Sequence, residues 1–200
     1  GSRQPDSNLT DHIYIEQPVK VSRSVNVLND DWQSTGFYVG SFSSEFLAQS
    51  HIKLDEGRQP ENSGEIAMDW NTLLTLGYNG EIGESINLKY CDNNSIGNKE
   101  KRNDKNYTLV GIYRNYTNIW NNGRQIPSAV VVDSELSQFN YDTRSVFLYP
   151  IKASIKTDDY KAVFDSIKEK TSKSYTYNSG VYDYKPWGST SIYIYMYLIV

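Results

Sequence analysis

Cysteine and histidine are nearly missing from this 200-residue chain: it has one Cys and two His. Cys91 has no partner for an internal disulfide, so the fold must rest on its apolar core, and the residue reads as a small buried packing group. His12 and His51 stand far apart, with no Cys or second His at ligand spacing, which argues against a zinc site. No Gly-x-Ser-x-Gly elbow supports a Ser-His-Asp arrangement. The carboxylate pairs Asp30-Asp31, Asp158-Asp159 and Glu61/Glu65 read as turn and helix-start charges rather than glycosidase machinery. The Asp92–Asp104 stretch is rich in oxygen donors but lacks the spacing, the Gly and the closing Glu of an EF-hand loop. The expectation is a protein that is not an enzyme and holds no cofactor or metal.

One-signed charge and long apolar runs are scarce too. Twenty Lys and Arg are scattered among 24 Asp and Glu for a net charge of −4, so the basic stripe of a nucleic-acid binder is missing. The longest apolar run, Ile192–Val200, is well short of the roughly 20 residues a membrane helix needs. Its alternating Tyr193, Tyr195 and Tyr197 suit a last strand, and its aromatic character suits the lead-in to a transmembrane helix. No signal peptide opens the chain, and Gly1-Ser2 reads as the scar of a removed tag on an excised piece.

What is present is a 38% hydrophobic, tyrosine-rich sequence, with 17 Tyr, that suits one folded unit or two small subdomains sharing a core. Strands are expected within 11–28, broken at Pro18, and within 37–40, 65–68, 83–90, 107–113, 124–133 and 145–155. Ser43 or Ser44 caps a short helix that turns Phe46 and Leu47 inward. Asp69 caps a second, with Leu73, Leu74 and Leu76 on its apolar face and Gly77 as its stop. Residues 57–64 read as a turn, 92–106 as a solvated loop, and Ser134–Ser137 as a brief helical turn. Tyr160, Val163, Phe164 and Ile167 share one face of a helix over 158–170, which suggests a closing β-α-β unit. The fold class is α+β.

Five short motifs then follow in order: Gly57-Arg58-x-Pro60, Glu65-Ile66, a helix ending Leu76-Gly77, Ile82-Gly83-Glu84-Ser85-Ile86-Asn87-Leu88, and Tyr107-Thr-Leu-Val-Gly-Ile112. Together they resemble the extracytoplasmic, periplasmic-core-like domain of MacB/FtsX-type ABC transporter permeases. The glycines and Pro60 are turn chemistry in any fold, and Gly111 marks a bulge or a close packing contact in its strand.

The resemblance implies a membrane-proximal α/β subdomain, porter-like, from 10–51 plus 141–192, with a β-rich outer subdomain inserted at 52–140. Residues 1–9 are then tag scar and linker, and 193–200 the lead-in to a membrane helix or a last strand. It further implies a domain on the extracellular or periplasmic face of a bacterial membrane. There it would couple motion driven by an ABC ATPase subunit or domain to export or signalling outside. A second permease copy, an extracytoplasmic partner protein, or a peptide or lipoprotein substrate are the partners this implies.

Tyr113, Arg114, Tyr116, Trp120 and Arg124, in the densest aromatic patch, are the candidate contacts for a partner or substrate, because rigid aromatic rings contact sugars and peptides well when exposed. On that patch the rival to the permease reading is a free-standing surface module for glycans or peptides. The plainer reading of the same rings is that they pack the sheet.

Overall fold

Apolar residues at every second position give strands with one buried face, and here those strands close on each other. The computed structural model describes residues 19–50, 52–91, 102–114, 116, 126–139, 144–150, 165, 176–177 and 197–199. The elements among them are β1 (Val19–Leu28), β2 (Ser34–Phe42), α1 (Ser44–Ser50), β3 (Leu54–Gly57), β4 (Glu65–Asp69) and α2 (Trp70–Thr75). There follow β5 (Ser85–Cys91), β6 (Arg102–Tyr113), β7 (Ala129–Val130), a 3-10 helix (Asp133–Phe139), β8 (Arg144–Pro150), β9 (Thr176–Tyr177) and β10 (Tyr197–Ile199).

Pairing runs β1–β2–β7–β4–β6–β5 and back to β1, a closed six-stranded ring. The β2–β7 and β4–β6 pairs are parallel and the rest of the ring is antiparallel. Closure removes the open edges that a flat sheet of this size would expose. Outside the ring, β8 pairs with the first part of β1, β10 with β8 and β9 with β10. Tyr197–Ile199 therefore form a strand. Strands from either side of residue 52 share the ring, since β1 pairs with β5 and β2 with β7.

The ring encloses Val25, Val27, Val39, Ile66, Met68, Ile86, Leu88, Tyr90, Tyr107, Leu109 and Ile112, closed in by Leu73 of α2 and Leu136 of the 3-10 helix. A second cluster lies on the other face of the sheet, where Phe46 of α1 packs on Ala67, Tyr113, Tyr116, Ile126 and Val130. Burying a side chain of Phe46's size contributes about 2–3 kcal/mol, and Ser43 Oγ caps that helix by accepting from the Phe46 N–H at 3.1 Å.

β6 serves both clusters because its alternation shifts once. The β4 register passes from Ile66 opposite Leu109 to Ala67 opposite Gly111, leaving Val110 as an extra residue. Tyr107 and Leu109 therefore face the ring interior, and Ile112 joins them while Tyr113 turns outward into the second cluster. Gly111, expected to mark a bulge or a close packing contact, sits at this shift.

Several expectations need correction. Residues 102–106 are strand, not loop. Their apolar period is missing because polar pairs zip the ribbon, with Asn87 Nδ2 donating to Asp104 Oδ1 at 2.7 Å and to Asn106 Oδ1 at 3.1 Å. The remainder of that expected loop, 92–101, lies outside the described residues. Leu74 is 50% exposed: on this short helix Leu73 takes the buried place and Leu74 points away. The strand expected over 124–133 contracts to Ala129–Val130, with 124–125 outside the described residues. β3 was not expected, because Leu-Asp-Glu-Gly carries almost no strand propensity. The strand expected before Pro18, all of the 158–170 helix except Asp165, which is helical and exposed, and most of 151–196 lie outside the described residues. Within those described, the chain is mostly sheet with short helices.

Candidate functional site

Of the residues singled out as partner contacts, Tyr113 and Tyr116 are 0% and 4% exposed. Their rings meet edge-on at 5.1 Å, and Phe42 packs on Tyr116 at 5.7 Å. Tyr113 Oη donates to Gln59 Oε1 at 2.6 Å, and Tyr116 Oη to the Pro127 carbonyl. Burial raises both phenols above their ordinary pKa, so they stay neutral. They pack the second cluster, and neither offers a ring face to solvent. Arg114 is exposed and pairs with Asp55 at 2.5 Å. Trp120 and Arg124 lie outside the described residues.

What the structure does bring together is the ordered motif series, around β6. Two turns of one design flank it, Asn62-Ser63-Gly64-Glu65 and Glu81-Ile82-Gly83-Glu84. In each, the fourth N–H returns to the first carbonyl, at 3.2 and 2.9 Å. The third residue is a glycine with φ +84° or +96°, the left-handed position that a type II turn requires.

Each turn ends in a glutamate whose carboxylate folds back onto its own loop. Glu65 Oε2 accepts from the N–H groups of Glu61 and Asn62 at 2.9 and 3.0 Å. Glu84 accepts from those of Asn79 at 3.1 Å, Gly80 at 2.9 Å and Glu81 at 3.3 Å. Counted back from the glutamate, the two donors on the first turn occupy the same places as Gly80 and Glu81 on the second. The strands that follow register on the same β6 residue from opposite sides, Glu65 and Ser85 both opposite Thr108.

The surroundings differ. Arg58 forks onto Glu65, Nη1 to Oε2 at 2.8 Å and Nη2 to Oε1 at 2.5 Å. That bond, helped by the two N–H donors, holds the Glu65 carboxyl well below the usual carboxylate range. Glu84 is lowered by backbone donors, with the Asn79 N–H foremost. On the Glu65 side, Glu135 of the 3-10 helix, 6% exposed at its side chain, accepts from Lys105 Nζ at 2.6 Å, from the Gly64 N–H at 3.2 Å and from Ser63 Oγ. The Glu84 turn is tied to β6 by its backbone, the Gly83 N–H donating to the Leu109 carbonyl at 2.8 Å and the Leu109 N–H to the Glu84 carbonyl at 2.9 Å, but among the described residues it has no side-chain anchor like Glu135.

Gly57 and Gly111 let β3 and the following residue lie hard against β6. A Cβ at Gly57 would run into the Val110 carbonyl, and one at Gly111 into the Arg58 carbonyl. The Arg58 N–H donates to Val110 at 2.8 Å. At the far end of the ring, the β1–β2 tip folds Trp32 (φ +60°) over Arg102, 4.8 Å from the ring centre, while Asp30 pairs with Lys89 at 2.6 Å.

Sequence reasoning located the motif glycines but missed the two glutamates as organisers. The available signal was the shared Gly-Glu at the entrance to a strand. Chemically these carboxylates are occupied by their own loops, and among the described residues no group of three His, Cys, Asp or Glu stands together as a metal site. The site is a hydrogen-bonded clasp around β6.

No family model matches the chain. No curated protein matches it either. Among solved structures, it is similar to the periplasmic region of MacB from Actinobacillus actinomycetemcomitans, at 12% identity over 80% of this chain and 70% of that one, with a TM-score of 0.38. It is similar to a domain of a permease protein from Porphyromonas gingivalis, at 11% identity over 82% and 68%, TM-score 0.41. It is also similar to the extracellular domain of the noncanonic ABC-type transporter YknZ from Gram-positive bacteria, at 12% identity over 77% and 73%, TM-score 0.39. The chain's structural neighbours thus include a periplasmic region, a permease domain and the extracellular domain of an ABC-type transporter.

Proposed function

We propose that this chain is the extracytoplasmic domain of a MacB/FtsX-type ABC transporter permease, carried on the outer face of a bacterial membrane. The observation behind this reading is that motifs resembling that family in sequence order, scattered between Gly57 and Ile112, meet as one clasp. Gly57 and Arg58 bond to β6 through Val110 and Gly111, Glu65 and Ser85 lie opposite Thr108, and Gly83 and Glu84 bond to Leu109. Motifs shared by chance have no reason to interlock.

In this reading the domain is a mechanical element and not a catalyst. A ring locked on both flanks of β6 moves as a body, so displacement of membrane helices driven by an ABC ATPase subunit or domain is passed outward. The output is export of a peptide or lipoprotein, or a signal to an extracytoplasmic partner or second permease copy. The division into a membrane-proximal subdomain, 10–51 plus 141–192, and an outer one, 52–140, belongs to the same proposal. So does a partner contact on the segment carrying Arg114, Trp120 and Arg124, whereas Tyr113 and Tyr116 are buried in the second cluster.

The test is purification of the full gene product from detergent-solubilised membranes. The expected result is ATP hydrolysis in the purified complex that is stimulated when the domain is present and intact. A full-length product that is soluble and has no associated ATPase overturns the reading.

A further inference from the structure

Asn79-Gly80 joins the two residue types whose pairing is chemically least durable in a polypeptide. With no side chain on the following residue, its backbone nitrogen can reach the asparagine side-chain carbon. A bond forms from Gly80 N to Asn79 Cγ and the Cγ–Nδ2 bond breaks. Ammonia leaves, carrying the proton lost by the Gly80 nitrogen. Water then opens the cyclic imide to aspartate or isoaspartate. The structure gives a reason why glycine occupies position 80: φ is +77°, and a Cβ there would run into the Trp70 ring. The labile dipeptide is thus imposed by packing.

The same geometry blocks the reaction. The Gly80 N–H that must be lost donates to Glu84 Oε2 at 2.9 Å, while the Asn79 N–H and Nδ2 face Glu84 Oε1 at 3.1 and 3.5 Å. An adjacent carboxylate opposes loss of that proton, because the anion formed would face a negative charge. It also fixes the nitrogen's lone-pair direction and ties the leaving amide down. We propose that Asn79 is a latent deamidation site and that Glu84 is its guard. Opening of this turn, by heat, force or loss of the carboxylate, would convert it to aspartate or isoaspartate. That product adds a negative charge beside Glu81 and Glu84 and, in the iso form, one backbone atom to a turn built to close on β6.

The test follows deamidation by peptide mass spectrometry at mildly alkaline pH, in the folded protein, in the urea-denatured protein and in Glu84→Gln. Asn122-Gly123, the same dipeptide elsewhere in the chain, serves as a clock for solution conditions. The expected result is that Asn79 reacts about tenfold or more slowly in the folded protein than in the denatured one, the factor that one hydrogen bond to a charged group is worth. Glu84→Gln should restore most of the denatured rate at Asn79 and leave Asn122 unchanged. Hydrogen exchange at Gly80 gives a second readout on the native protein, where a slow amide is expected. A folded-state rate at Asn79 equal to the denatured rate, a fast-exchanging Gly80 amide, or no change at Asn79 in a folded Glu84→Gln protein would each overturn the proposal.

Discussion

The Glu65 turn and the Glu84 turn share a backbone, a glycine and an inward-folded carboxylate, yet they are secured differently. Both bond to β6 through their backbones, but the side chains that hold the first come from outside it, Arg58 and, through Gly64 and Ser63, Glu135, whereas the Glu84 carboxylate is held by N–H groups of its own loop. A single device used twice can therefore draw its side-chain support from other elements in one place and from its own loop in the other. The comparison separates what the turn contributes from what its neighbours add.

The most severe way to break the comparison is to put a Cβ where the first turn's flank has no room. Gly57→Ala places a methyl against the Val110 carbonyl at φ +74°, whereas Gly83→Ala meets open space at φ +96°. Urea denaturation should show a loss of about 3 kcal/mol or more for Gly57→Ala, where backbone strain and overpacking add. Gly83→Ala should lose roughly 1–2 kcal/mol, the cost of the left-handed conformation alone. Equal losses would mean that the close approach of β3 to β6 is unimportant.

Removing the outside anchor sharpens the contrast. Glu135→Ala deletes the acceptor shared by Lys105, Ser63 and Gly64, and about 2 kcal/mol should be lost, as for hydrogen bonds to a charged group. Amide exchange should speed up at Gly64 and stay unchanged at Gly83. A uniform increase at both would tie the turns together more closely than the bonds indicate.

Acid titration reads the difference directly. Both carboxyls are depressed in the folded state, so each contributes stability above the unfolded glutamate value of about 4.3, and that contribution is lost as pH falls through the folded value. Carboxyl NMR should show Glu65 titrating below Glu84, because Arg58 is the largest cause of its depression, whereas among the described residues Glu84 is lowered by backbone donors alone. The smallest effect is expected from Arg58→Ala. It should move the Glu65 titration upward toward that of Glu84, with a loss of stability that shrinks further in high salt because Arg58 is largely exposed.

Much of the ring was legible because burial writes a period into the sequence: β4 and β5 lie nearly where Glu65-Ile66 and Gly83–Tyr90 suggested, and Asp69 caps α2 through the Asn71 N–H. The first part of β6 was not, because Arg102–Asn106 is held by polar cross-strand bonds that leave no apolar period. β3 was hidden for another reason. Its place is set by what Gly57 and Gly111 permit, a property of two backbones approaching, whereas pattern reading sees one segment at a time. The aromatic patch failed to reveal exposure, since Tyr113 and Tyr116 look alike in sequence whether they face solvent or Phe42 and Phe46. The glutamates were visible as residues, but their function as loop acceptors depends on three-dimensional return of the side chain.

The proposed place of this domain, outside the membrane on an ABC permease, can be tested by labelling. Cys91 is buried, so a cysteine introduced at the exposed Lys53, compared with the same full gene product lacking that substitution, reports labelling at this position. The measurement is labelling of Lys53→Cys by a membrane-impermeant maleimide in intact cells or, where an outer membrane is present, in cells with that membrane permeabilised. The same labelling is expected before and after lysis of the inner membrane, on a protein that stays in the membrane fraction. Labelling only after lysis, or a protein in the soluble fraction, would contradict it.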